Sequence, residues 1–271
     1  MIWATWRMNR SILVASFAAA AAFAIWLVIS GSIEMHASAI FTSHHCSPNY
    51  PGSSETCMTS LSDSGNFSSV NAALCGALPA ILGFVLGVPL VAGEIQQGTN
   101  RLAWTQSITR TRWLLTKIGV GALVTAGIVG AMAPLFWWWT DAAQRNSHIQ
   151  PSNFDISGFV GVAYAVFAFM LGVALGALIR RTGWAFAACV PLFALVRLGV
   201  RLYLRPDLIS PNTASANAPI SNSNWYVNSS STQFQPPSHF WSLQTAESAI
   251  FLGLALGLLG IAVMAVGRWR T

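Results

Sequence analysis

Three arginines recur at four-residue intervals toward the end of a long apolar run: Arg197, Arg201 and Arg205. On an α-helix this spacing puts their side chains on one face. An arginine in lipid costs about 2.5–3.5 kcal/mol on insertion scales, so the row is expected to face protein or water. Two roles suit it: ion pairing of Arg201 and Arg205 with Glu247, which begins the last apolar run, or lining a route for an anionic or polar substrate. The sequence leaves both open.

A second candidate site is the polar, basic segment at residues 93–117, GEIQQGTNRLAWTQSITRTRWLLTK, which separates two long apolar runs. Glu94 would favour a helix start, because the positive end of a helix dipole attracts a negative charge. Gly98 and Thr99 suit a bend or an N-cap. The segment is therefore expected to contain a short helix.

The second half of this segment offers an apolar and aromatic face, the kind of anchor that dominates protein interfaces. Its members are Leu102, Trp104 and Thr105. The cations that follow, Arg110, Arg112 and Lys117, are expected at lipid headgroups or opposite acids of a partner protein. The residues alone favour docking and a plain amphipathic loop on the inner leaflet equally.

Motifs for catalysis are absent from the sequence. There is no GxxxxGKS or GxxxxGKT phosphate loop, no HExxH and no GxSxG, so ATP hydrolysis by the usual route is excluded for this chain and no catalytic residue is predicted. The spacing of His36, His44 and His45 matches no ligand pattern, and no metal site is predicted. No paired carboxylates are expected at membrane depth, where ion-coupled transporters typically keep an acid.

The elements that must position these residues follow from composition. Apolar residues make up 54% of the chain and charged residues 8%, against roughly 25% charged in a soluble domain. Six apolar runs approach or exceed the roughly 20 residues that cross a bilayer as a helix. They cover residues 12–33, 72–92, 113–139, 156–179, 184–204 and 246–266. The predicted fold is an all-α, polytopic bundle forming one transmembrane domain over residues 1–271. The first run is longer than a signal-peptide core and is expected to be retained.

Positive charges predict which way the bundle faces. With both termini in the cytoplasm, ten of the fourteen basic residues lie inside: Arg7, Arg10, Arg101, Arg110, Arg112, Lys117, Arg180, Arg181, Arg268 and Arg270. The inner side then holds the segment 93–112, and the outer loops are residues 34–71, 140–155 and 205–245. The net charge of +6 reflects this orientation, and no nucleic-acid partner is predicted.

Cysteines and glycines add two expectations. Cys46 and Cys57 fall in the first outer loop, on the oxidising side, and a disulfide between them is predicted. Cys75 and Cys189 lie within spans and are expected to be packing residues. Glycine pairs at four-residue spacing let helices approach closely. These pairs are Gly83 and Gly87, Gly172 and Gly176, and Gly253 and Gly257.

The segment between the second and third runs resembles the corresponding loop in permease subunits of ABC-2 type ABC transporters, particularly a subgroup common in actinobacteria. The matching residues are Glu94, Gly98, Thr99, the run WTQSITR at residues 104–110, Trp113 and Lys117. Chain length, six spans and internal termini also fit, and the LRP at residues 204–206 is a second, weaker likeness. The resemblance implies the architecture of a type V exporter.

In that family the loop is a coupling helix that docks on a separate ATP-binding subunit. The resemblance implies two such subunits, which hold the ATP and Mg²⁺, and a second permease chain, identical or paralogous. This chain would be a transport subunit without cofactor or enzymatic activity, multi-pass in a bacterial plasma membrane. Its cargo is expected to be hydrophobic or amphipathic, such as a drug, lipid or metabolite. The alternatives are an ion-coupled secondary transporter or channel without an ATPase, and a membrane-embedded enzyme.

Overall fold

The structure, a computed structural model, describes residues 2–43, 55–98, 109–142, 148–213, 221, 223–227 and 233–268. Within these residues, six helices are long and apolar enough to cross a membrane. They span Leu13–Ala37, Val70–Gln96, Thr111–Asp141, Val160–Ile179, Thr182–Asp207 and Pro237–Gly267. The predicted all-α, polytopic fold class is confirmed.

The described residues form eight α-helices. In chain order they are α1 (Ile2–Ser43), α2 (Glu55–Val88), α3 (Glu94–Gln97), α4 (Arg110–Ala142), α5 (Pro151–Phe154), α6 (Val160–Ile179), α7 (Thr182–Gly199) and α8 (Phe240–Gly267). A π-helical segment, Pro89–Gly93, joins α2 to α3, and a second, Val200–Leu204, continues α7 into a 3₁₀ turn at Arg205–Asp207. Another 3₁₀ turn, Pro237–His239, precedes α8.

Helices continue well beyond the apolar runs that predicted them. α1 runs on to Ser43 and α2 begins at Glu55, so the expected outer loop 34–71 is helical over most of its described length. Once a span has nucleated a helix, each further residue adds a hydrogen bond at little extra cost, and polar composition alone does not stop it. Cys46 lies outside the described residues, as does the side chain of Cys57.

Where it is described, the last predicted loop, 205–245, contains regular structure despite its proline and serine content. Three short antiparallel strands form a sheet of order β1–β3–β2: β1 (Asn212–Thr213), β2 (Trp225–Tyr226) and β3 (Gln233–Gln235). Phe234 at the centre lies opposite Asn212 and Tyr226. Helix α8 already begins at Phe240.

Helix α6 is the centre of the bundle, with most of its residues buried. Its contact with α2 is close because both helices present glycine there. A Cβ on Gly87 would lie 2.3 Å from the carbonyl oxygen of Phe169, and one on Gly83 would lie 2.6 Å from Cβ of Ala168. From the other side, a Cβ on Gly172 would lie 2.9 Å from the backbone nitrogen of Val88. Helices α2 and α6 therefore form a backbone-to-backbone seam.

The third glycine pair lies elsewhere. Cβ atoms on Gly253 and Gly257 would meet nothing within 4 Å among the described residues. This pair does not mediate packing within the described part of the chain.

The seam predicts a contrast between two glycine-to-alanine variants in helices. Gly87→Ala forces α2 and α6 apart and should lower the free energy of unfolding by about 1–3 kcal/mol, the usual cost of overpacking. Gly257→Ala adds a methyl group into open space and should leave stability unchanged or raise it by up to about 1 kcal/mol through helix propensity. Unfolding in mixed detergent and sodium dodecyl sulfate micelles measures both, and equal effects would show that the seam is not tight.

Candidate functional site

Polar residues cluster at two ends of the bundle. The Glu94 end contains α3 and the start of α4, and the Arg205 end contains the arginine row and the turn between α4 and α6. Of the residues expected to couple to a partner, the structure describes Glu94 and Gly98. Thr99, Leu102, Trp104 and Thr105 lie outside the described residues, and Arg110 begins α4 with its side chain outside them.

Glu94 forms a buried ion pair across the base of the inner segment. Its Oε1 accepts a hydrogen bond from Nζ of Lys117, and both side chains are at least nine-tenths buried. The ammonium group also lies 4.6 Å from the ring centroid of Trp113. The expectation that Lys117 lies at lipid headgroups or opposite a partner's acids is wrong, because Glu94 neutralises it inside the bundle. This pair links α3 directly to α4.

Gly98 ends α3 where a bend was expected. Its φ of 70° is left-handed, a conformation that glycine adopts without steric cost. Its N–H donates to the carbonyl oxygen of Ile95 at 3.2 Å. Residues 99–108 thus follow the left-handed end of α3 at Gly98 and precede the start of α4.

The π-helical segment before α3 has a local cause. Pro89 has no N–H, so the carbonyl of Val85 loses its usual helical donor and the backbone widens. The segment is held against α6, where a Cβ on Gly176 would lie 3.4 Å from the backbone nitrogen of Ala92. The inner segment thus continues into a tightly packed part of the bundle.

At the Arg205 end, the arginine row converges on one acid, Asp155. Four residues of a regular α-helix rotate by about 400°, so a four-residue row drifts by about 40° at each step. The π-helical segment Val200–Leu204 has more residues per turn and offsets that drift. Oδ2 of Asp155 lies 3.1 Å from Nη2 of Arg197 and 3.6 Å from Nη1 of Arg201. Oδ1 lies 2.5 Å from Nη2 of Arg205.

Arg205 is the most deeply buried member, with a side chain 1% exposed. Its Nε donates to Oε2 of Glu247 at 2.7 Å and its Nη2 to Oε1 at 2.9 Å, a two-point contact. The hydroxyl of Tyr164 donates to Oε1 of Glu247 at 2.6 Å. Phe154 covers the guanidinium group, whose carbon lies 4.5 Å from the ring centroid. Glu247 therefore pairs with Arg205, whereas Arg201 is nearest to Asp155.

Arg197 is anchored differently from the other two arginines. Its Nη1 donates to the carbonyl oxygen of Gly76 on α2 at 2.8 Å. Its guanidinium group stacks over Tyr164, 4.7 Å from the ring centroid. Arg197 thereby connects α7 with both α2 and α6.

Gln244 positions the turn that carries Asp155. Its Nε2 donates to the carbonyl oxygens of Phe154 at 3.0 Å and Ser157 at 2.8 Å, and its Oε1 accepts the N–H of Val160 at 2.8 Å. Gly158 has a φ of 82°, and a Cβ there would lie 2.9 Å from the Gln244 amide. Gln244 is fully buried and binds three backbone groups of the turn. The turn therefore has little conformational freedom.

Sequence reasoning missed Asp155, Tyr164 and Gln244. Asp155 is the last residue of the predicted outer loop 140–155, and no local pattern distinguishes it. The sequence predicts no paired carboxylates at membrane depth, but two individual acids do lie within candidate spans. Glu94 and Glu247 fall within spans two and six and are buried. Each is neutralised by a cation, Lys117 or Arg205, which is why both are tolerated there.

A serine, a histidine and an aspartate at the Arg205 end have the connectivity of a nucleophilic triad. Nδ1 of His148 lies 2.9 Å from Oγ of Ser157, and its Nε2 lies 2.9 Å from Oδ1 of Asp141. Ser157 is 0% exposed, so no substrate carbonyl can reach its hydroxyl. The chain of contacts instead ties the end of α4 to the turn before α6.

Among the described residues no group of metal-binding side chains is present, and Cys75 and Cys189 are buried within spans.

A family model described as ABC-2 membrane transporter related matches residues 17–205. The chain belongs to this family. The ABC-2 resemblance drawn from the inner segment is thereby confirmed, and the match covers that segment and the whole arginine row. No match was found among curated proteins. Membership makes the chain a multi-pass membrane component of an ABC transport system, a class that works with an ATP-binding partner.

In this ABC-2 family chain, Asp155 is a described acid outside the spans whose pKa is clearly shifted. Burial raises the pKa of its carboxyl group, but the guanidinium groups, Arg205 first and Arg197 next, outweigh burial. The pKa of Asp155 therefore lies below its ordinary value.

Removing Arg205 should be strongly destabilising. Arg205→Gln leaves Asp155 and Glu247 buried without their closest cation, and losing one partner of a buried ion pair costs about 3–5 kcal/mol of unfolding free energy. Arg205→Lys, which keeps the charge but loses the two-point contact, should fall between this variant and wild type. Arg201→Gln is the control, because its side chain is 37% exposed and should matter far less. Comparable losses for Arg201→Gln and Arg205→Gln in micelle unfolding would contradict the network.

The lowered pKa of Asp155 predicts acid sensitivity. As pH falls, the unfolded chain takes up a proton at this carboxyl before the folded chain does, so the stabilisation is complete above the ordinary carboxyl pKa and is lost toward the folded-state pKa. The Tm of the wild type in neutral detergent should decline from about pH 5 downward more steeply than that of Asp155→Asn. Asp207→Asn, which removes an exposed carboxyl group, should keep the wild-type slope. Parallel curves for wild type and Asp155→Asn would refute the assignment.

Proposed function

We propose that the chain is the membrane-spanning permease subunit of an ATP-driven exporter. A separate ATP-binding subunit would dock on the cytoplasmic segment 93–112 and drive transport of a hydrophobic or amphipathic cargo. Membership of the ABC-2 family supports this proposal most strongly, because the matched residues include the entire segment. The buried ion pair at the segment's base adds a physical reason.

The ion pair offers a route for force from the segment into the bundle. Residues 99–108 lie between α3 and α4, and Glu94 and Lys117 hold these two helices together. A displacement of the segment must therefore move the inner ends of spans two and three jointly. Because α2 packs on α6 through glycine contacts, the displacement also reaches the centre of the bundle.

The working assembly proposed is two permease chains, identical or paralogous, with two ATP-binding subunits. ATP and Mg²⁺ would be bound by the partner, and this chain would contribute no catalytic residue. The ten basic residues of the termini and inner loops favour an orientation with both termini in the cytoplasm. The membrane would be the bacterial plasma membrane, and the predicted Cys46–Cys57 disulfide would then face the oxidising side.

One observation favours an ion-coupled transporter as the second candidate. Glu94 and Glu247 are acids within spans, the residue type that carries coupling ions in such proteins. Both are held by cations, however, and Glu247 also accepts a hydrogen bond from Tyr164. Release of either would leave a buried charge unpaired, which is costly. Transport by the chain in reconstituted vesicles distinguishes the two candidate functions. The exporter needs ATP and its ATP-binding partner, whereas the ion-coupled transporter needs only an ion gradient.

Docking can be tested by substitutions within the segment. Trp104→Glu puts a charge into the proposed aromatic anchor, and Arg110→Glu reverses a cation expected to face acids on the partner. Each should reduce co-purification of the ATP-binding subunit at least about tenfold, the scale of a lost interface anchor, and should abolish ATP-driven transport.

The matched controls are Trp104→Phe and Arg110→Lys, which keep the ring and the charge and should retain at least partial association. Membrane levels of all four variants should equal wild type, because residues 104 and 110 lie outside the spans. If the glutamate variants associate and transport normally, docking through this segment is wrong.

A further inference from the structure

A cleft of about 530 Å³ lies between α2 and α7. Its walls are small or apolar side chains: Ala77, Ile81 and Phe84 on α2, and Val190, Phe193 and Leu198 on α7. The volume is within the range of small-molecule sites, which are mostly apolar with a few placed polar groups. The cleft is therefore shaped for an apolar body.

Among the described lining residues, the charged groups lie together at one end of the cleft. Asp155, Arg197 and Arg201 lie there, as part of the network that includes Arg205 and Glu247. The network holds three guanidinium groups and two carboxylates, which leaves one positive charge in excess. An apolar cleft with one excess cation at its end is complementary to a molecule with one anionic head and an apolar body.

The excess charge resides mainly on Arg201. Arg205 is buried and bonded to both acids, and Arg197 is fixed by a carbonyl of α2. The Arg201 side chain is 37% exposed, and its nearest approach to Asp155 is 3.6 Å, beyond hydrogen-bond distance. Its N–H donors are thus available at the cleft. A guanidinium fork binds carboxylate or phosphate through two parallel hydrogen bonds.

We propose that this cleft binds an amphiphile with a single anionic headgroup, the headgroup contacting Arg201 and the apolar body lying between α2 and α7. This inference rests on the proposed function and deepens it, because such an amphiphile would be the cargo. A cationic amphiphile is disfavoured by the excess positive charge. A neutral one brings no counter-charge for the excess positive charge at Arg201 as the cleft desolvates.

The test uses the full chain alone in phosphatidylcholine nanodiscs and a photoactivatable diazirine analogue of dodecanoate. The neutral control is the matching diazirine alcohol. The acid should label residues 72–84 and 190–201, mapped by peptide mass spectrometry, and unlabelled dodecanoate should compete. The alcohol should label these peptides much less at equal concentration in the membrane.

Two substitutions then separate charge from shape. Arg201→Gln should lower the apparent affinity for the acid about tenfold, the scale of one lost charge-assisted contact, and should leave labelling by the alcohol unchanged. Ala77→Leu narrows the cleft and should reduce labelling by both probes. Arg181→Gln, an equal charge change at the other end of α7, is the control and should behave as wild type. Matched Tm values confirm that each variant is folded.

The source of the anion is tested by exchanging phosphatidylcholine for phosphatidylglycerol. Loss of acid labelling in those discs assigns the headgroup to a bilayer lipid, and retained labelling assigns it to a free amphiphile. Equal labelling by acid and alcohol, or unchanged labelling in Arg201→Gln, would overturn the proposal. Because no ATP-binding subunit is present, that failure would leave the docking measurement unaffected.

Discussion

A fully buried guanidinium group, that of Arg205, sets the arrangement of one end of the bundle. A cation removed from water must be matched by acids and hydrogen-bond acceptors at short range. Asp155 comes from the turn before α6, Tyr164 from α6 and Glu247 from α8. Together with the 3₁₀ turn that carries Arg205, four separate parts of the chain therefore meet at one side chain. Gln244 in addition holds the turn that supplies Asp155.

The opposite end depends on a smaller version of the same constraint. Glu94 and Lys117 neutralise each other where α3 meets α4, and the glycine seam between α2 and α6 continues from there into the core. Helix α2 forms one side of the seam and binds Arg197 through the carbonyl of Gly76. Through the π-helical segment it also continues into α3, which carries Glu94. The helix next to the inner segment is thus also the one that forms a wall of the cleft.

The sequence was most informative where a single physical rule governs. Bilayer thickness dictates span length, so apolar runs predicted the six spans, and helical spacing predicted that the arginines share a face. Helix ends were less predictable, because residues 34–43 are helical despite loop-like composition. The partner of the arginine row could not be predicted, since Asp155 lies 50 residues before Arg205 and reaches it only through tertiary contacts. Lys117 was misplaced for the same reason, because its acid comes from another helix.

A role in stabilising the fold explains the presence of two arginines of the row but not of the third. Arg205 satisfies the two buried acids, and Arg197 joins α7 to α2, so both have structural reasons to be present. Arg201 lies 3.6 Å from Asp155, beyond hydrogen-bond distance, and adds a third positive charge to a network with two acids, at a position where a neutral side chain would be cheaper to insert. A residue that costs free energy without closing the network belongs to the places where function overrides folding consistency. Its position at the charged end of an otherwise apolar cleft relates that cost to recognition of an anionic group.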